Sequence, residues 1–121
     1  MRRFTWMLCL LLAVAPFAAA QDPTEVDSDH YQVVFENDDV RVVRITYGAG
    51  DKSVMHYHPD GVAVFLTDQK IQFTMPDDTT QVVETKARDA IWIPAGHHLP
   101  QNLEDEPLEL ILVELKGGGD G

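Results

Sequence analysis

Three histidines are the residues of this sequence whose type and spacing best suit chemistry. His56 and His58 stand two positions apart, and His98 follows 40 residues later. Side chains alternate between the two faces of a strand, so a pair at that spacing points to one face of an extended segment. Imidazole nitrogen is a good ligand for zinc, copper, iron and nickel. The spacing therefore predicts one metal site, made by a histidine pair on a rigid strand and a third histidine on a later strand.

The segments that must position these histidines have the pattern of short strands. Apolar and β-branched residues form short runs, and Gly, Pro, Asn and Asp cluster between the runs. No segment shows the 3.6-residue period of an amphipathic helix. Many short strands without helices between them predict an all-β, antiparallel sandwich or barrel. The predicted strands are Gln32–Glu36, Val40–Tyr47, Val54–His58, Val62–Thr67, Lys70–Met75, Gln81–Lys86, Ala90–Ile93, His98–Leu103 and Leu108–Leu115.

The last predicted strand is apolar on both faces. Leu108, Leu110 and Leu112 alternate with Ile111 and Val113. A strand of this kind is buried on both faces. One face can contact the core of a small barrel, so the other predicts a homodimer interface or cover by a second sheet.

The first twenty residues have the layout of a secretory signal peptide. Two arginines precede an apolar run over 4–14, and three alanines come before a cleavage point that we place between Ala20 and Gln21. The apolar stretch is short for a membrane span, contains Pro16 and is followed by no stop-transfer pattern. We therefore expect a periplasmic or secreted protein that has no membrane contact after cleavage.

The rest of the chain is expected to form a flexible N-terminal arm (21–30), one barrel domain (31–116) and a flexible Gly-rich tail (117–121). The only cysteine, Cys9, leaves with the leader, so core packing, a metal or oligomerisation must stabilise this small domain. After cleavage the chain would carry 20 acidic and seven basic residues, a net charge of −13. Such a charge repels phosphate backbones, which excludes nucleic acid as an expected partner.

Two stretches resemble the sequence motifs of the cupin superfamily. Gly50 and the His56–His58 pair match the first motif, and the segment 94–102, with His98 and Asn102, resembles the second. The whole run 31–116 is similar to small single-domain cupins, including those named β-alanine degradation proteins. The resemblance implies a jelly-roll barrel of two antiparallel sheets, usually dimeric, with a metal ion inside.

The sequence departs from the cupin motifs at three places. Val62 and Ala63 occupy the positions of the motif-one glutamate, so that carboxylate ligand is absent. Arg88 stands where the second motif opens with glycine. The motif-two histidine is one residue closer to the glycine before it than usual, so the third ligand is His98 or, as the weaker alternative, His97. Cysteine dioxygenase and diketone-cleaving dioxygenase are cupins with such a neutral, three-histidine site.

Three neutral imidazoles leave the full positive charge of a divalent ion (Fe, Zn, Cu, Mn or Ni) uncompensated, and the site should therefore prefer an anionic or chelating ligand. Iron with O₂ would give dioxygenase-like chemistry, whereas zinc would act as a Lewis acid on water. Outside the cytoplasm, copper and zinc compete better than iron or manganese for nitrogen ligands. The sequence thus predicts an exported, metal-binding cupin that acts on a small polar or anionic molecule.

Three further residues are candidates for roles around this site. His97 should face away from His98, Asn102 should make hydrogen bonds near the site, and Arg88 could line a pocket. The absent carboxylate keeps two alternatives to an enzyme open: a non-catalytic module that binds a small ligand or a metal, and a structural cupin with a vestigial site whose histidines are satisfied by hydrogen bonds alone.

Overall fold

The computed structural model describes residues 21–117, which form one short helix and nine β-strands. The predicted signal peptide, with Cys9, and residues 118–121 of the predicted tail lie outside the described residues. The elements are α1 (Pro23–Val26), β1 (Tyr31–Glu36), β2 (Val40–Tyr47), β3 (His56–His58), β4 (Gly61–Phe65), β5 (Gln69–Thr74), β6 (Thr80–Thr85), β7 (Ala90–Ile93), β8 (Gly96–Asn102) and β9 (Leu108–Leu115).

The strands form two antiparallel sheets. One has five strands in the order β1-β2-β9-β4-β7, and the other has four in the order β3-β8-β5-β6. The all-β prediction is therefore confirmed. Within residues 21–117, no helix is long and apolar enough to cross a membrane.

The hydrophobic core lies between the two sheets because alternate residues of each strand point inward. Strand β9 shows this most clearly, since every second side chain from Leu108 onward is buried. Gly61 of β4 sits so close to β9 that a Cβ atom there would lie 2.5 Å from the Val113 carbonyl oxygen. The core residues are Tyr31, Val43, Ile45, Tyr47, Ala63, Phe65, Ile71, Leu108, Leu110 and Leu112.

All nine predicted strands are present, with ends that differ from the prediction by at most two residues. The largest difference that affects the site is in β3, which begins at His56 and not at Val54. Lys52 makes only an isolated bridge to Gln101 of β8. The chain therefore enters β3 as irregular backbone, and the strand that carries the histidine pair is only three residues long.

The segment 21–30, expected to be a flexible arm, is instead fastened to the barrel. Asp22 caps α1 by accepting a hydrogen bond from the Thr24 amide, and Pro23 at the start of the helix is fully buried. Asp22 also pairs with the Arg41 guanidinium, which pairs in turn with the buried carboxylate of Glu114. Polar composition alone predicted a loose segment, whereas these long-range contacts order it.

Candidate metal centre

The pairing of β3 with β8 brings His56, His58 and His98 together. His56 lies directly opposite His98, and His58 lies opposite Gly96. Directly paired residues of antiparallel strands point to the same face, so all three rings lie on the inner face of the four-stranded sheet. The ring centroid of His98 is 4.9 Å from that of His56 and 4.4 Å from that of His58. The short β3 thus holds two histidines against a third on its neighbour.

Hydrogen bonds determine which ring nitrogens of the pair stay available. His56 Nδ1 donates to the Val54 carbonyl oxygen at 2.9 Å, and His58 Nδ1 donates to the Pro59 carbonyl oxygen at 3.1 Å. A carbonyl can only accept, so both rings carry their proton on Nδ1 and present the lone pair of Nε2. Metal-binding histidines commonly donate their second nitrogen to a backbone carbonyl in this way.

Burial keeps the three imidazoles neutral. Burial lowers the pKa of His56 to about 4, with a smaller effect from the neighbouring His58. Burial followed by the His58 and His56 charges lowers the pKa of His98 to about 2, and burial also lowers the pKa of His58. The neutral form is the one that binds a metal ion, so no proton has to leave these rings at neutral pH before an ion binds.

The donor chemistry of this cluster fits a metal ion, but the rings do not yet converge on one point. As the side chains stand, no group of three or more His, Cys, Asp or Glu side chains within residues 21–117 is arranged to hold a metal ion. The centroids of His56 and His58 are 6.5 Å apart, and His98 stacks on Phe73 at 4.8 Å. His98 makes no side-chain hydrogen bond to the rest of the described chain, so rotation of its ring breaks none there.

The histidines form part of the wall of a cavity of about 450 Å³ between the sheets. Aliphatic and aromatic side chains make up most of the wall, among them Phe65, Ile71 and Ile93. No Asp, Glu, Lys or Arg of the described segment lines it. The described part of the chain therefore offers a ligand a largely apolar surface with imidazoles at one side.

Two of the three additional candidates, Asn102 and Arg88, neither line the cavity nor form hydrogen bonds to the three histidines. Asn102 is buried at the far end of β8, where its amide donates to the carbonyl oxygens of Gly48 and Glu106 and fastens two loops. Arg88 is exposed in the turn before β7 and does not line the cavity. Its φ of 79° is the left-handed conformation that glycine would adopt most easily, so the position where the resemblance leads one to expect glycine lies in a tight turn.

His97 faces away from the three-histidine cluster, as predicted from strand alternation. It lies opposite Tyr57 in the β3–β8 pairing, and the two rings are 5.1 Å apart. His97 also contributes to the lining of the cavity. Of the two adjacent histidines, only His98 joins the cluster.

Two tyrosines that sequence analysis did not select border the site. The Tyr31 hydroxyl lies 3.3 Å from His56 Nε2 and makes a short hydrogen bond to the Tyr47 hydroxyl. Burial raises the pKa values of both phenols above their usual range. Strand alternation places Tyr31 and Tyr47 on the inner face of β1 and β2, but tyrosine is common in strands and this position alone did not distinguish them.

Comparisons with known proteins identify the fold. No protein-family model and no curated protein sequence matches the chain. Solved structures do match, among them a cupin domain from Bordetella pertussis Tohama I, with a TM-score of 0.67 and 21% identity over 72% of this chain and 92% of that one. An uncharacterised conserved protein with a double-stranded β-helix domain from Klebsiella pneumoniae matches with a TM-score of 0.57 and 20% identity, over 90% of this chain and 93% of that one.

A polyketide cyclase from Streptomyces resistomycificus matches with a TM-score of 0.55 and 14% identity, over 70% of this chain and 63% of that one. At these identities the matches establish architecture, and they agree with the two antiparallel sheets described above. The chain has the jelly-roll fold of the small, single-domain cupins.

Proposed function

We propose that this protein is an exported cupin that binds one divalent metal ion through His56, His58 and His98. The observation that carries the proposal is the close grouping of three neutral imidazoles on the wall of a largely apolar cavity. Three histidines leave coordination positions open, so the bound ion would act as a Lewis acid or bind a ligand together with O₂.

The cavity narrows the class of small molecule expected from the sequence. Because no charged side chain of residues 21–117 lines it, a ligand with several charges would be desolvated there without a partner. A single anionic or chelating group facing the histidines, attached to a largely apolar body, fits the wall better. Among proteins of this fold, the cyclase from Streptomyces is named for action on a polyketide, a precedent for an enzyme rather than evidence about this chain.

The test is the metal content of the protein, expressed from the full-length sequence and purified without chelators or a histidine tag. We expect one equivalent of metal in the wild type, the same in His97→Ala, and a large loss in His98→Ala. His97→Ala is the matched control, since it removes an adjacent imidazole that faces the other way. A wild type that neither contains metal nor takes it up would contradict the proposal and favour a structural cupin.

The identity of the metal then selects the activity assay, and turnover in that assay distinguishes an enzyme from a binding module. With iron, O₂ consumption is measured in the presence of β-diketones or other chelating ligands that carry an apolar body; with zinc, hydrolysis or isomerisation of such ligands is measured. Thermal stabilisation by these ligands without turnover would favour the non-catalytic module, for which the missing motif-one carboxylate is the supporting observation.

A further inference from the structure

The inner wall has no carboxylate where the cupin resemblance leads one to expect a ligand. Of the two residues at that place, Val62 points outward and Ala63 points inward, with an exposed fraction of only 1%. A methyl group cannot bind a metal ion. The three histidines therefore lack an anionic partner from β4.

An oxygen atom from another strand lies beside the cluster. The Tyr31 hydroxyl, at the start of β1, is 3.3 Å from His56 Nε2, and the two rings meet edge to face at 4.9 Å. His56 carries its proton on Nδ1, so Nε2 accepts this hydrogen bond and Tyr31 donates it. The phenol thus occupies the lone pair through which His56 would bind a metal ion.

The separation of these two atoms matches that of two ligands on one ion. Nitrogen and oxygen ligands at ~2.0–2.2 Å from a tetrahedral ion are themselves ~3.3–3.5 Å apart. The observed 3.3 Å between Tyr31 Oη and His56 Nε2 lies in this range. An ion that takes the place of the phenol proton could therefore bind both atoms once the His56 lone pair turns from the phenol oxygen toward the ion.

Tyr47 is placed to support the oxygen in that role. Since Tyr31 donates its proton to His56, the Tyr47 hydroxyl must donate in their shared hydrogen bond. Tyr47 is itself held by His30, whose ring stacks on it at 4.6 Å. If the phenol proton left to solvent when a metal ion bound, the Tyr31 oxygen would still accept from Tyr47, in the way that hydrogen bonds commonly support metal ligands.

We infer that Tyr31 is the fourth protein ligand of the proposed metal site, and that its phenolate replaces the carboxylate missing from β4. This inference rests on the proposed three-histidine site. It changes the expected chemistry, because a phenolate cancels one positive charge of the ion and reduces the preference for an anionic ligand.

The experiment is visible absorption and resonance Raman spectroscopy of protein loaded with Cu(II) or Fe(III), with metal content measured on the same samples. Phenolate bound to either ion gives a visible charge-transfer band and enhanced ring vibrations of the tyrosine. We expect these signals in the wild type and their loss in Tyr31→Phe. Metal should still bind to that variant, but at least ~10-fold more weakly. Loss of a residue that only forms a hydrogen bond to a metal ligand already lowers metal affinity by about that factor.

The chain has three tyrosines, which makes the assignment possible even if Tyr31→Phe does not fold. Tyr57→Phe is the matched control, because Tyr57 packs against His97 on the other face. Retention of the band in both Tyr57→Phe and Tyr47→Phe assigns it to Tyr31, with a shift in Tyr47→Phe from the lost hydrogen bond. A band lost in Tyr47→Phe but kept in Tyr31→Phe would overturn the inference.

The two proposals fail in different ways. One equivalent of bound metal without any phenolate signal would overturn the role of Tyr31 and leave the three-histidine site intact. Absence of bound metal in the wild type would overturn the site itself, and the role of Tyr31 with it.

Discussion

The interior histidines couple the stability of the metal-free protein to pH. Their folded-state pKa values lie below the usual 6.5, because burial disfavours the charged rings. Below that pH the unfolded chain therefore binds protons that the folded chain does not. The contribution of these histidines to stability is fully present above about pH 6.5 and is lost as the pH falls toward their folded-state pKa values. We expect urea unfolding of metal-free protein to show a falling free energy of unfolding between about pH 7 and pH 5.

His98→Gln separates this effect from the titration of carboxylates elsewhere. The variant has one buried histidine fewer. As the pH falls, the slope of its free energy of unfolding against pH should therefore be smaller than that of the wild type by up to ~1.4 kcal/mol per pH unit. Equal slopes in the variant and the wild type would show that His98 is not held neutral by burial.

Arg88 carries backbone strain that glycine would relieve. Its φ of 79° costs an L-residue roughly 1–2 kcal/mol, partly offset in a glycine variant by the larger entropy of the unfolded chain. We expect Arg88→Gly to raise the free energy of unfolding by up to ~1 kcal/mol, measured by urea unfolding. Ala87→Gly is the control, because the adjacent exposed residue has no positive φ and should be destabilised. Destabilisation of both variants would show that no strain is stored at Arg88.

At the scale of elements, the contact between the N-terminal segment and the barrel depends on one guanidinium. Arg41 Nε donates to Glu114 at 2.6 Å, and its Nη atoms donate to Asp22. Glu114 is only 2% exposed, and burial raises its pKa while Arg41 opposes the rise. Removal of Arg41 would leave a buried carboxylate without its partner, which typically costs about 3–5 kcal/mol.

We therefore expect Arg41→Met to lower the free energy of unfolding by several kcal/mol and to expose the segment 21–30 to proteolysis. Arg44→Met is the matched control on the same strand. Arg44 is half-exposed and pairs with Glu109 at the surface, so its loss should cost less than ~1 kcal/mol. Similar losses in the two variants would contradict a special role for the buried ion pair.

The sequence predicted those elements whose pattern is local. Alternation along β2, β7 and β9 was strong enough to predict both ends of each strand, and the two-residue spacing of His56 and His58 predicted their shared face. The segment 21–30 was mispredicted because what orders it is an ion pair to Arg41 and Glu114, far along the chain. Tyr31 could not be selected for a similar reason: its proximity to His56 depends on how the two sheets face each other.

At the scale of the whole molecule, the outer face of the five-stranded sheet carries an apolar patch that the rest of the described chain leaves uncovered, with the Arg44–Glu109 ion pair beside it. The strand register places one row of side chains across all five strands, and a neighbouring row adds Val64 and Ile111. Phe35 and Trp92 at the two ends of the first row are more than half-exposed. The first row is Phe35, Val42, Val113, Val62 and Trp92.

A second copy of the chain is the partner that this surface fits best. Five strands ~4.8 Å apart and about 14–27 Å long give a flat area of roughly 500 Å², which approaches the ~800 Å² per partner of a stable interface once side chains are included. A row of apolar side chains can pack against the same row of a second copy across a two-fold axis. The strongly negative net charge makes two copies repel each other at long range, so association should strengthen with salt.

We therefore expect the wild type to elute as a dimer in size-exclusion chromatography with light scattering, and Val113→Lys, at the centre of the row, to elute as a monomer. A lysine there would be desolvated in the interface without an anionic partner. Val82→Lys is the matched control, because Val82 is a half-exposed valine on β6 of the other sheet and should leave the dimer intact. A monomeric wild type at micromolar concentration and high salt would contradict the prediction. Dissociation by both lysine variants would place the interface elsewhere, since only one of them lies on the apolar row.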